Sequence, residues 1–178
     1  MENHDEGLTE LLDAEELEKQ RSKAMDKALF YLGFKARSEA QMERYLLSKE
    51  FCAEAVDIVM QQLKEYGYID DERMAERLLE AGKTQRKEGV RKTRQRLMRT
   101  GIPQDVSAQV TSEVDEETEL QNAAHWIARW LPRLTGDRNH QKQKLYRRLL
   151  GKGFSYEIVN RAMRDVRWPE EDEEERYD

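Results

Sequence analysis

Apolar residues return every four positions in three separate stretches of the chain. They are Phe51–Ala55–Val59–Leu63, Ile102–Val106–Val110 and Phe154–Ile158–Ala162–Val166. Spacing of this kind places each set on one face of a helix. Five residues before each anchor stands a leucine, Leu46, Leu97 or Leu149, so the pattern repeats after 51 and 52 residues. The segments around them align as MERYLLSKEFCAEAVDIV, TRQRLMRTGIPQDVSAQV and LYRRLLGKGFSYEIVNRA. Gly101 and Gly153 directly precede the apolar anchor, where a helix ends in a left-handed residue. Pro103 suits the start of the helix that follows. The first repeat has Glu50 at the glycine position, which predicts a different turn there.

A further helical stretch precedes each pair: residues 25–34, 72–82 and 117–131. The expected fold is all-α, an elongated array of three tandem three-helix units with nine helices. Its predicted limits are an acidic tail over 1–20, units over 21–68, 69–114 and 115–168, and a second acidic tail over 169–178. One three-helix unit has few apolar residues, so neighbours are expected to stack. Ser38 and Gln41 form an S-x-x-Q capping box for the second helix.

Composition strengthens the helical reading. Of the 178 residues, 38% are charged, well above the usual quarter, which suits a heavily solvated body. Leucine occurs 18 times, valine and isoleucine together 13 times, and there are three prolines, a balance that favours helix over strand. Nothing resembles a membrane span of about 20 apolar residues. The first eighteen residues hold eight acids and no Lys or Arg, the opposite of a signal peptide. With Cys52 as the single cysteine, no internal disulfide forms. A cytoplasmic monomer without membrane, metal or cofactor is expected, with Cys52 packed near Phe51.

The net charge of −6 hides a segregation. Residues 1–18 contribute −8, and residues 170–178, with seven acids and Arg176, contribute −6. The body over 19–169 is therefore +8. From Lys83 to Arg99 there are eight basic residues and one acid, Glu88; from Arg138 to Lys152 there is no acid. With Val90, Thr93 and Leu97 facing inward, Arg91, Lys92, Gln95 and Arg99 fall on the opposite side. Lys144 then matches Lys92, and Arg147 matches Gln95. A nearly pure basic face is a footprint for phosphate or an acidic protein surface.

Asp70, Asp71 and Glu72 invite a metal-site reading, but they sit where a helix begins. Tyr66 and Tyr68 close the preceding helix around Gly67, Ile69 is placed as a hydrophobic staple, and Asp70 takes the N-cap. His4, His125 and His140 are scattered and no paired ligand pattern is present, so a nuclease built on Asp70 and Asp71 lacks its further ligands. No nucleophilic triad or glycine-rich nucleotide loop occurs. Trp126 and Trp130 are four apart, placed either in the core of their helix or as base-stacking platforms.

The string GYIDDERMAE, from Gly67 to Glu76, resembles the signature of the RecX family, bacterial regulators of the recombinase RecA. The resemblance covers roughly residues 25–167; Met74 stands where family members commonly have Phe, and the acidic tails lie outside it. It implies a non-catalytic protein that lies in the groove of a RecA filament on DNA and limits its growth or promotes disassembly. The binding surface is then Arg86, Lys87, Arg91, Lys92, Arg94, Arg96 and Arg99 with Lys142, Lys144, Arg147, Arg148 and Lys152. Tyr66, Gly67, Tyr68, Asp70 and Asp71 serve as structural or partner contacts. The competing reading is a helix-turn-helix-like protein that binds single- or double-stranded DNA weakly and without sequence preference. The Arg-rich segment lacks the Asn/Gln mixture used to read bases, Gln95 apart.

Overall fold

A computed structural model describes residues 2–164 and 166–168, with side-chain surroundings from residue 13 onward. Among the described residues the chain is helical without strand. The helices are α1 (Glu2–Phe34), α2 (Glu39–Leu47), α3 (Ala53–Glu65), α4 (Asp71–Ala81), α5 (Val90–Thr100), α6 (Gln104–Ser112), α7 (Glu116–Trp130), α8 (Arg138–Gly151) and α9 (Tyr156–Arg164). A π turn over Gly82–Arg86 and a 3-10 turn over Leu131–Arg133 complete them. The acidic segment after residue 168 lies outside the described residues.

The chain divides into two compact bodies, residues 1–74 with 99–103, and residues 75–98 with 104–178. In the first, Ala24 and Ala28 of α1 pack on Met42 and Leu46 of α2 and on Val56, Val59, Met60 and Leu63 of α3. In the second, Ala123 and Ile127 of α7 meet Leu145 and Leu149 of α8 and Phe154, Ile158, Val159 and Met163. Phe154 is fully buried, as its anchor position predicts, which is worth about 2–3 kcal/mol.

Helix α1 starts far upstream of the expected residue 25. Much of the acidic N-terminal segment is thus helical. Ion pairs one turn apart, Lys19 with Glu16 and Arg21 with Glu18, support it. Gln20 accepts the Cys52 N–H at 2.9 Å, which ties this extension to the start of α3. Cys52 itself is exposed, not packed beside Phe51, because it occupies the N-cap position of α3.

The turn after α2 also departs from expectation. Glu50 has φ 62°, in the same left-handed region as Gly101 at 84° and Gly153 at 92°. All three repeats share one turn, and the first holds it with a residue that carries a Cβ, at some steric cost.

The carboxylates after Gly67 are helix caps. Gly67 is left-handed (φ 68°) beyond the end of α3. Asp70 accepts the Arg73 N–H at 2.8 Å. Asp71 does something the sequence pattern does not show: it accepts the N–H of Glu39, the first residue of α2, at 2.9 Å. The capping box is present, with Ser38 bonded to the Gln41 N–H and the Gln41 side chain returned to the Ser38 N–H. Ser38 further donates to the Thr100 carbonyl.

Asp70→Ala is expected to cost about 0.5–2 kcal/mol and Asp70→Asn almost nothing, because Asn caps as well as Asp. Asp71 should behave differently. Burial raises its pKa, so the fold favours the neutral acid there. Its contribution is fullest below the unfolded value and falls as pH rises through the raised folded one. Asp71→Asn keeps an acceptor for Glu39 without a charge to bury, so at pH 7 its melting temperature should match or exceed that of the natural chain. Asp71→Ala leaves the Glu39 N–H unpaired and should lose about 1–3 kcal/mol. Thermal melts of the four variants decide both assignments.

Candidate polyanion-binding face

The second body brings the two basic stretches of the sequence against one another. The contact is backbone on backbone. Gly89, just before α5, donates its N–H to the Lys152 carbonyl at 3.0 Å, and the Arg91 N–H donates to the Gly153 carbonyl at 3.2 Å. A Cβ on Gly89 would lie 2.4 Å from the Gly153 carbonyl atoms and the Phe154 nitrogen. A Cβ on Gly153 would lie 2.4 Å from the Lys92 Cβ and nitrogen. Both glycines are therefore required by the approach itself, and Gly153 also by its positive φ.

The crossing supplies one of the partners needed at the start of α5. The first N–H groups of a helix have no partner within it. Here the Val90 N–H goes to the Glu119 carboxylate at 2.9 Å, Arg91 to Gly153, and Lys92 to the Gly89 carbonyl at 3.0 Å. Burial raises the pKa of Glu119, against the hydrogen bond from Val90.

Around the crossing lies a groove of about 440 Å³ lined by Arg91, Lys92, Gln95, Leu150, Gly151, Gly153 and Tyr156. Tyr156 is 61% exposed. Arg91 and Gln95 are exposed and Lys92 half-buried. Among the described residues neither Arg91 nor Lys92 pairs with an acid. The outward set read from the helical wheel thus lines an open groove at Arg91, Lys92 and Gln95. Arg99, the fourth member, is exposed at the other end of α5, in the first body.

Three of the expected binding residues point elsewhere. Glu88 is 7% exposed and accepts from Arg86 Nε at 3.2 Å and from Arg96 Nη2 at 3.1 Å. The Thr93 hydroxyl donates to it at 3.4 Å. Arg94 Nε donates to Thr111 Oγ1 at 2.7 Å. Arg86, Arg94 and Arg96 therefore join parts of the fold, which the count of cations could not reveal. The signal was present in the sequence, since Glu88 is the one acid in the run. Burial favours the neutral acid at Glu88, but the Arg96 and Arg86 hydrogen bonds and charges outweigh it and hold the pKa below the ordinary value.

The α8 set divides as well. Lys142, Arg147 and Arg148 are exposed and Lys144 half-buried. Lys152 Nζ sits 3.6 Å from the centre of the Trp126 ring, and Arg148 lies 5.6 Å over Trp130. The two indoles stack at 4.9 Å, and Trp126 Nε1 donates to the Lys87 carbonyl at 2.7 Å. Both indoles are half-buried and packed against the second core. The alternatives for these tryptophans resolve to a core edge capped by cations. Burial lowers the Lys152 pKa, while Glu88 nearby opposes that shift.

Tyr66 and Tyr68 are exposed at 67% and 55%, edge to face with each other, and belong to the first body. Among the described residues no cluster of three metal-ligating side chains exists.

The comparisons with known proteins agree with this architecture. The model for the RecX first three-helix domain matches residues 24–63, and that for the third matches 117–163. A regulatory protein RecX from Prosthecochloris aestuarii is 26% identical over 144 residues, covering 81% of this chain and 93% of that protein. One from Lactococcus lactis is 30% identical over 152 residues, covering 83% of this chain, though the chain spans only 56% of that protein. One from Clostridioides difficile is 30% identical over 142 residues, covering 79% and 66%. The crystal structure of RecX from Lactobacillus salivarius superposes with a TM-score of 0.78 at 20% identity, over 83% of this chain and 96% of the other. A second crystal structure of a regulatory protein RecX gives 0.79 at 21% identity, over 86% and 78%.

Proposed function

Because this chain belongs to the RecX family, we propose that it binds the filament of a RecA-type recombinase on DNA and limits its growth or promotes its disassembly. Its relatives are named regulatory proteins, which supports a regulatory role without catalysis. The observation that carries the reading is the glycine crossing. It sets α5 against the α8–α9 turn and leaves Arg91 and Lys92 beside the exposed Tyr156 in an open groove, with no acid among the described residues paired to either. Such a surface suits recombinase carboxylates, DNA phosphates, or both, and we assign the larger share to protein contacts. No helix among the described residues is long and apolar enough to cross a membrane. We place the action in the cytoplasm, as a monomer.

The test is a folded variant with the outward charges removed. Arg91→Ala/Lys92→Ala/Arg99→Ala should stay folded, since surface changes shift stability by about 0.5 kcal/mol or less each. Lys92→Ala keeps the Cβ that abuts Gly153. The variant should lose most of its effect on filament assembly by the cognate recombinase on single-stranded DNA. Adding Lys144→Ala and Arg147→Ala should weaken it further.

The weaker DNA-binding reading is separated in the same assays. If phosphates are the main partner, each lost contact lowers the slope of log affinity against log salt by about 0.7–0.9. If protein carboxylates dominate, DNA affinity changes little while filament regulation falls. A folded triple variant that still regulates the filament removes this face from the mechanism.

A further inference from the structure

A second groove in the same body has no role in the reading above. It lies between α7 and α9, has a volume of about 650 Å³, and is the larger of the two. Its floor is apolar, with Leu120, Leu131, Ala162 and Val166. Its rim carries Arg161, Arg164 and Arg167. Arg161 is engaged by Glu116. Arg164 and Arg167 are exposed, and among the described residues neither pairs with an acid.

The chain that continues from this rim has complementary chemistry. Residues 169–178 read PEEDEEERYD, and 170–178 carry a net charge of −6. Blocks of like charge of this kind often serve as interaction segments. The block's one large apolar side chain is Tyr177. Its root is held in place: Trp168 is half-buried against the second core, with Arg138 5.9 Å over its ring. Ten residues span at most about 35 Å, ample to fold back over an adjoining groove. Tethering so close gives an effective concentration on the order of millimolar, so weak contacts suffice.

We propose that residues 169–178 dock in the α7–α9 groove of their own chain, Tyr177 on the apolar floor and the carboxylates against Arg164 and Arg167. The docked tail covers two cations that no acid of the described residues neutralises. It thereby lowers the positive charge the second body presents to a polyanion. This inference does not depend on the identity of the filament partner, and its test contains no recombinase and no DNA.

The experiment uses the full chain with Tyr177→p-benzoylphenylalanine, irradiated as a monomer and mapped by mass spectrometry. Crosslinks are expected within one chain, on α7 and α9 around the groove. Their yield should fall about fivefold or more between about 0.05 M and about 1 M NaCl, because exposed charge pairs are screened. Ala128, which is exposed on the groove wall, allows a control that leaves the core untouched. Ala128→Glu should reduce the yield by a similar factor and Ala128→Lys should not, with unchanged melting curves for both. Crosslinks elsewhere on the chain, crosslinks only between two copies, no crosslinks, or a yield indifferent to salt and to Ala128→Glu each overturn the proposal.

Discussion

Gly89→Ala lowers the melting temperature by about 6–12 °C, the largest effect expected of a single methyl group in this protein. The new Cβ would stand 2.4 Å from the Gly153 carbonyl carbon and oxygen and from the Phe154 nitrogen. These are backbone atoms, with no rotamer to relieve the overlap. Overpacking against a rigid neighbour costs about 1–3 kcal/mol and occasionally more. At about 3 kcal/mol a chain of this size loses 2–4 °C per kcal/mol. Two backbone hydrogen bonds, Gly89 to Lys152 and Arg91 to Gly153, must lengthen at the same time. Gly151→Ala is the control. Nothing lies within 4 Å of a Cβ there and its φ is ordinary, so Ala should be neutral or slightly stabilising through the unfolded chain. Equal melting temperatures for the two variants would show that α5 and the α8–α9 turn do not meet as described. Since the same crossing forms the basic groove, the function proposed above predicts that Gly89→Ala also weakens any effect on filament assembly, even well below its melting point.

Glu88→Ala should cost about 2–3 kcal/mol at pH 7, the second large effect. The carboxylate is buried and receives charge-assisted hydrogen bonds from Arg86 and Arg96. Both arginines are about one-third exposed, so water partly replaces what they lose and the cost stays below that of a fully buried broken pair. The pH dependence follows from the depressed pKa. Folding favours the charged form, so the stabilisation is complete above the ordinary glutamate value of 4.5 and is lost as pH falls through the lower folded value. The stability difference between the natural chain and Glu88→Gln should therefore be constant from pH 8 to about 5 and narrow below that range. A difference that widens on acidification would mean that Glu88 is not held ionised by its arginines.

Local pattern alone determined much of this protein. The four-residue apolar spacing located α3, α6 and α9, because a helix facing a core needs an unbroken apolar stripe and nothing distant alters that period. Gly67, Gly101 and Gly153 marked helix ends because a left-handed residue is a local demand. The Ser38–Gln41 box and the Asp70 cap were legible for the same reason, since donor and acceptor lie three residues apart. The outward cations Arg91 and Lys92 followed from the wheel of a single helix.

Tertiary structure decided the rest, wherever a partner comes from another part of the chain. Asp70 and Asp71 are neighbours of one type, yet one caps its own helix and the other caps α2, 32 residues away. Glu50 adopts the turn of the glycines because the fold around it requires that φ, against its own preference. Arg86 and Arg96 differ from Arg91 only in facing the buried Glu88, a distinction that charge counting does not make. Gly89 was not singled out at all, for its need is not a torsion but the passage of another backbone at Gly153. A turn, a cap or a stripe is written within a few residues. A close approach between segments 64 residues apart exists only once both helices are packed, and it is this approach that brings the two basic stretches into backbone contact.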